Sequence, residues 1–374
     1  MSRPVVVRLL LPAGASAQAL PVLLARAMRA FGDGTMAVLL PAYLLALGLG
    51  QLEVGLISTA TLLGSAAATL AVGAFGHHVA SRRLLLGAAL LMAATGAGFA
   101  GLSSFWPLVV VAFVGTLNPS SGDVSVFLPL EHARLAEAAH GEARTALFAR
   151  YSVLGALCAA VGALAAAVPD LLAQHAGIGR LPALRSLFAL YGGIGLAVWW
   201  LYRRLPPSPT GAEAPVKPAP LGPSRTIVVR LAALFCVDAF AGGLVVNALL
   251  SLWLLQRFGL SLTEAGVFFF WAGLLSAASQ FAAPKVAARI GLLNTMVFTH
   301  IPANVCLVLA ALAPGLPLAL GLLFVRSALS QMDVPTRTAY VMAVVTPAER
   351  SAAASFTAVP RSLASALSPA LGGA

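Results

Sequence analysis

Charge is what this chain has least of. Only 9% of its 374 residues are charged, against about 25% in soluble domains. With 60% of residues apolar, no water-facing surface could be covered, and the bilayer is the solvent that suits the composition. Lysine is scarcer still, since Lys217 and Lys285 are the only two among 23 basic residues. The three cysteines, Cys158, Cys236 and Cys306, each sit inside an apolar run. No pair has metal or redox spacing, so they read as small buried residues. The adjacent His77 and His78 diverge on a helix, and no further ligand converges on them. No metal and no cofactor is implied. The net charge of +11 does not mark a nucleic-acid binder, because no basic stretch is interleaved with aromatics. A nucleophile with its base, or clustered acidic motifs for a metal-bound diphosphate, is not visible. A membrane enzyme is therefore only a remote alternative.

What the chain does have is long apolar runs. A helix needs about 20 mostly apolar residues to cross a bilayer. Eleven runs qualify as spans: 20–49, 54–75, 84–102, 105–129, 145–168, 187–202, 227–258, 263–283, 292–313, 316–340 and 351 to the end. The fold class expected is all-α, a polytopic helical bundle. Residues 1–19 read as a cytoplasmic tail and 20–202 as a first half of six helices. A proline-rich stretch, 203–226, reads as a solvated cytoplasmic linker, and 227–374 as a second half with five helices present. Arginines set the orientation. With the N-terminus inside, the cytoplasmic connections carry Arg82/Arg83, Arg134/Arg144, Arg203/Arg204/Lys217/Arg225, Lys285/Arg289 and Arg337/Arg350. The outer connections hold Arg180, Arg185 and Arg257.

The halves repeat each other. Gly48-x4-Glu53-x-Gly55 matches Gly259-x4-Glu264-x-Gly266. Val79-Ala80-Ser81-Arg82 matches Val286-Ala287-Ala288-Arg289, and Asp123-Val124 matches Asp333-Val334. Two like-oriented halves about a midplane site suit alternating access.

On this plan, and on the loop Gly73-Ala74-Phe75-Gly76-His77-His78-Val79-Ala80-Ser81-Arg82-Arg83, the chain resembles the major facilitator superfamily. The family loop reads roughly Gly-x-Leu-Ala-Asp-Arg-x-Gly-Arg-Arg. Here Gly73 and the basic end fit, His77 replaces the acidic residue and Ala80 replaces the second glycine. The resemblance implies a cytoplasmic latch of Arg82 or Arg83 with Asp123, copied in the second half as Arg289 with Asp333. Asp333 and Arg337 also share a helix face. A twelfth helix is expected from the resemblance, yet the chain ends inside the eleventh, at Leu371-Gly372-Gly373-Ala374. A truncated sequence, or a fragment that does not transport, would account for that.

Charges inside spans mark a pathway by default. The candidates for a substrate or proton pathway are Asp33, Asn118, Asp238, Arg326 and Arg361, with Asp238 the expected partner of the two arginines. Pro119 to Gly122 should loosen the fourth helix beside Asn118. Phe268 to Trp271 read mostly as packing, and Trp199, Trp200 and Tyr202 as an interfacial belt. The function expected is secondary active transport of a small organic molecule, proton-coupled and outward, by a monomer in the plasma membrane. The alternative is an uncoupled facilitator or a carrier of an anionic metabolite, which Arg326 and Arg361 would favour.

Overall fold

Apolar runs this long become helices because hydrocarbon offers backbone groups no other partner. In the computed structural model, residues 10–75, 79–118, 120, 125–206, 222–346 and 349–373 are described, and every regular element among them is helical. The first half holds α1 (Leu20–Ala46), α2 (Gln51–Phe75), α3 (Ser81–Gly101), α4 (Phe105–Val114), α5 (Phe127–Ala138), α6 (Gly141–Ala165), α7 (Val168–Ala176) and α8 (Arg180–Arg203). The second holds α9 (Arg225–Gly243), α10 (Asn247–Phe258), α11 (Leu262–Ile290), α12 (Leu292–Ala311), α13 (Leu316–Ser330), α14 (Asp333–Val344), α15 (Arg350–Leu367) and α16 (Pro369–Gly372). The molecule is a two-half membrane bundle.

Several spans are broken where hydropathy alone reads them as continuous. The fourth divides into α4 and α5, and its symmetry mate divides into α13 and α14 at 331–332. The seventh divides into α9 and α10 after the Gly242-Gly243 pair. The sixth starts at Arg180 rather than 187, because Arg180 and Arg185 depress hydropathy over a first turn that is nonetheless helical. Residues 10–19 are not a loose tail. Leu11 and Ala15 are buried, and the Ser16 amide donates to the Ala138 carbonyl (2.8 Å).

Small residues let the helices touch. A Cβ added to Gly34 would stand 2.0 Å from the Ala159 carbonyl oxygen, and one at Gly96 would stand 2.3 Å from the Gly192 nitrogen. These contacts weld α1 to α6 and α3 to α8, as small residues do between membrane helices.

The repeated Gly-x4-Glu-x-Gly motif has one structural meaning in both halves. Gly48 (φ +83°) and Gly259 (φ +66°) both take the left-handed turn that ends a helix. Glu53 and Glu264 each fold back to accept from an amide at the next helix start, Gly50 at 2.9 Å and Ser261 at 2.8 Å. Gly55 and Gly266 are where that helix meets the opposite half. A Cβ at either would lie 2.6 Å from a carbonyl oxygen, of Pro369 and Ala163 respectively.

All of this happens at one end of the bundle, here called distal. There the halves are bonded to each other. Gln51 donates to Gln256 (2.5 Å), the Thr263 amide to Asp170 (3.3 Å), Ser251 to the Val38 carbonyl (3.1 Å) and the Ala370 amide to Thr59 (2.8 Å). At the proximal end, the side-chain hydrogen bonds among the described residues stay inside one half. Arg82 donates to the Arg203 carbonyl (2.6 Å) and Arg134 to the Pro206 carbonyl (2.7 Å). Glu349 accepts from the Gly222 amide and from Thr346 (2.6 Å). Donation from Ser224, with Thr346 and the Gly222 amide, holds its carboxyl at about 2, well below the usual carboxylate range.

Candidate functional site

Each half holds one charged cluster, buried in the first half and half-buried at Asp238 and His300 in the second. In the first half, Arg29 on α1 pairs with Glu131 on α5, and both are almost fully buried. Glu131 also accepts from Tyr151 on α6 and Tyr202 on α8, each at 2.5 Å. The Arg29 guanidinium lies 4.0 Å over the Phe127 ring. Four helices thus share one carboxylate whose acceptor sites are filled, which is the condition for burying an ion pair at tolerable cost. Asp33, one turn from Arg29, forms no ion pair with it. Instead Tyr191 donates to Asp33 at 3.4 Å and lies 3.2 Å from the Thr116 carbonyl, at the break between α4 and α5.

Asn118 lies inside that break, 4% exposed. Its side-chain oxygen accepts from the amide (3.0 Å) and hydroxyl (2.8 Å) of Ser120. It therefore replaces backbone partners lost where the helix opens. Ser120 in turn accepts through its carbonyl from Asn247 of the other half (3.1 Å). Beside the break, a cavity of about 250 Å³ runs between α2 and α3, lined by Ser65, Leu84, Leu91, Thr116 and the exposed Arg83.

In the second half, four side chains from three helices converge. His300 on α12 places Nε2 2.6 Å from Asp238 Oδ1 on α9. Its Nδ1 faces Asp333 Oδ2 on α14 at 4.0 Å. Arg337, one turn after Asp333, reaches Asp333 at 3.3 Å and Asp238 at 3.4 Å. Arg361 on α15 is close enough for its charge to act on both carboxylates. Asp238 and Arg361 thus belong together, while Arg326 stands apart, with no hydrogen bond or ion pair among the described residues and its Nε enclosed.

The latch residues are placed differently from the expectation. Arg82 caps the end of α8, where the last carbonyls of a helix lack partners. Asp123 lies outside the described residues. No ion pair joins Arg289 to Asp333 among the described residues. Arg289 is on the exposed end of α11, whereas Asp333 is buried against Arg337. Two participants were not legible in the sequence. Glu131 follows Pro129, where the apolar run of the fourth span stops, although Phe127, Leu128 and Leu130 around it signal burial. His300 is a lone polar ring in an apolar run, and only the convergence of α9 and α14 gives it partners.

Residues 22–373 match the Major Facilitator Superfamily. The chain is 21% identical to "Uncharacterized membrane protein YJR124C" of Saccharomyces cerevisiae, over 86% of this chain and 79% of that protein. Among solved structures, the nucleoside transporter NupG superimposes with a TM-score of 0.72 at 13% identity, covering 96% of this chain and 90% of that one. A bacterial homologue of the human lysosomal transporter Spinster, in an inward-facing and unoccupied conformation, gives 0.70 at 15% identity, covering 94% and 80%. The D-xylose–proton symporter gives 0.66 at 17% identity, covering 94% and 89%. At these identities the likeness is one of fold, and it agrees with the two-half bundle and its repeated motif. By the match along nearly its whole length, this chain belongs to the Major Facilitator Superfamily.

Proposed function

We propose that the chain is a proton-coupled secondary transporter of a small organic molecule, working by alternating access as a monomer in the plasma membrane. The observation that carries this reading is the Asp238–His300–Asp333–Arg337 cluster. Coupling needs a carboxylate that exchanges a cationic partner for a proton. Asp238 has two cationic partners, Arg337 and His300, on two different helices. If α14 withdraws Arg337, Asp238 is left under-compensated in a medium of low dielectric, where protonation is the cheapest remedy. His300 carries the proton onward. With Nε2–H donated to Asp238, its Nδ1 faces a second carboxylate at 4.0 Å. That approach is repulsive for a bare lone pair and attractive once Nδ1 is protonated.

The arginine bias puts the proximal end in the cytoplasm. Bonds between the halves at the distal end, with proximal hydrogen bonds among the described residues kept within each half, support an inward-facing arrangement. The family resemblance supports export as the direction. The D-xylose–proton symporter lends the coupling a precedent on this fold.

The test is reconstitution in liposomes with a panel of labelled small organic solutes and an imposed pH gradient. The reading requires at least one solute whose movement follows the gradient with wild-type protein and not with Asp238→Asn. Gradient-driven movement that persists unchanged in Asp238→Asn rejects the assigned role.

A further inference from the structure

The interior of the second half is not charge-balanced. Apart from the exposed Arg230, Arg257 and Glu264 toward the helix ends, its charges within the spans are two carboxylates, Asp238 and Asp333, and three guanidiniums, Arg326, Arg337 and Arg361, with His300 between the acids. Arg337 bonds both carboxylates and Arg361 acts on both. The uncompensated cation is Arg326.

Its place on α13 is on the inner side. Leu318, Gly321 and Val325 form the exposed face of that helix, while Ala319 and Leu323 are buried. At helical spacing Arg326 falls with Ala319 and Leu323, three or four residues apart. That face packs against α11 and α12. The charged groups of α11 are Glu264 at its distal start and the exposed Lys285 and Arg289, and the titratable group of α12 is His300, which is engaged with Asp238. None of them bonds Arg326. Its Nε is enclosed without a partner among the described residues, while the residue as a whole is half-buried. An arginine desolvated without a counter-charge is costly, and such groups are retained where something else supplies the charge. The planar fork of donors matches carboxylate or phosphate oxygens.

We infer that Arg326 is the recognition site for the anionic headgroup of the transported molecule, a small organic anion bearing a carboxylate or a phosphate ester. This rests on the transporter reading above and deepens it. Arg326 reads the substrate, and the Asp238–His300–Asp333–Arg337 cluster handles the proton.

The experiment follows the thermal unfolding of the purified full chain, with no gradient, so it is independent of coupling. The probes are benzoate, phenyl phosphate, the uncharged benzamide, and the inorganic ions chloride and phosphate. Benzoate or phenyl phosphate should raise the wild-type Tm by several degrees at saturating concentration, since binding to the folded state stabilises it. Which of the two does so distinguishes carboxylate from phosphate recognition. Benzamide should leave Tm unchanged, Arg326→Gln should lose the shift, and Arg326→Lys should keep part of it. Without ligand, Arg326→Gln should unfold at or above the wild-type temperature, because it removes an uncompensated charge. Four results would each overturn the inference: no shift from either organic anion, an equal shift with benzamide or the inorganic ions, an equal shift in Arg326→Gln, or a ligand-free Arg326→Gln that unfolds well below wild type. An anion-induced shift that survives in Asp238→Asn while gradient-driven transport is lost separates the two assignments.

Discussion

His300 Nε2 stands 2.6 Å from Asp238 Oδ1, joining α12 to α9 through a contact between an imidazole and a carboxylate. Arg337 approaches the other oxygen of the same carboxylate at 3.4 Å. One acid thus has one neutralising partner that can change its own charge and one that cannot. Replacing His300 by Gln keeps a donor but removes the titrating group. His300→Gln should retain gradient-free exchange of substrate across the membrane and lose accumulation driven by a pH gradient. Loss of both activities together would assign His300 a structural role instead.

Glu131 makes a different prediction. Glu131→Ala would leave Arg29 buried and unpaired, a change that costs about 3–5 kcal/mol. The double replacement Arg29→Met with Glu131→Leu should recover much of that loss, because apolar groups of similar volume substitute for buried pairs. Thermal unfolding of the three proteins checks this. A single variant as stable as wild type would show that the four-helix junction contributes little.

Closure of the distal end can be tested by tethering. With Cys158, Cys236 and Cys306 replaced, Gln51→Cys and Gln256→Cys place thiols where the two glutamines now touch. A short bis-methanethiosulfonate reagent, which joins the two thiols through disulfides, should arrest transport, and reduction of those disulfides should restore it. Full activity in the cross-linked protein would mean that this contact does not part during the cycle.

At the proximal end, Glu349 ties the chain before α9 to the segment before α15 by accepting from Gly222 and Thr346. Its carboxyl is held at about 2 against an ordinary value of 4.5. The stability this contributes is therefore present above pH 4.5 and is lost as pH falls toward 2. Glu349→Gln should lower the thermal unfolding temperature at neutral pH, and the difference from wild type should vanish near pH 2–3. Equal unfolding temperatures at pH 7 would exclude the clasp.

The sequence made one half of the site readable and hid the other. Asp333 and Arg337 are four residues apart on one helix, so their pairing follows from periodicity. Glu53 and Glu264 could be matched because local capping chemistry leaves a local pattern. Arg29 with Glu131, and Asp238 with His300, join helices far apart in the chain, and no spacing rule reaches that distance. Charge balance within the second half points to Asp238 as the partner of Arg326 and Arg361, yet helix packing gives Asp238 to His300 and Arg337. The ends of α4 at Val114 and of α13 at Ser330 follow from no hydropathy signal, and Pro119, Ser121 and Gly122, expected to loosen the fourth helix, lie outside the described residues. Gly242-Gly243 could have flagged the break after α9 but is common inside apolar spans.

The rocking of the two halves about the buried clusters is tested most directly by distances between spin labels. One pair would sit at positions 51 and 256, at the bonded distal end, and the other at 83 and 289, at the proximal end. Measured in lipid at several pH values, the account predicts two populations in which the distal distance lengthens as the proximal one shortens. Distances that stay fixed at both ends, or that lengthen and shorten together, would contradict it.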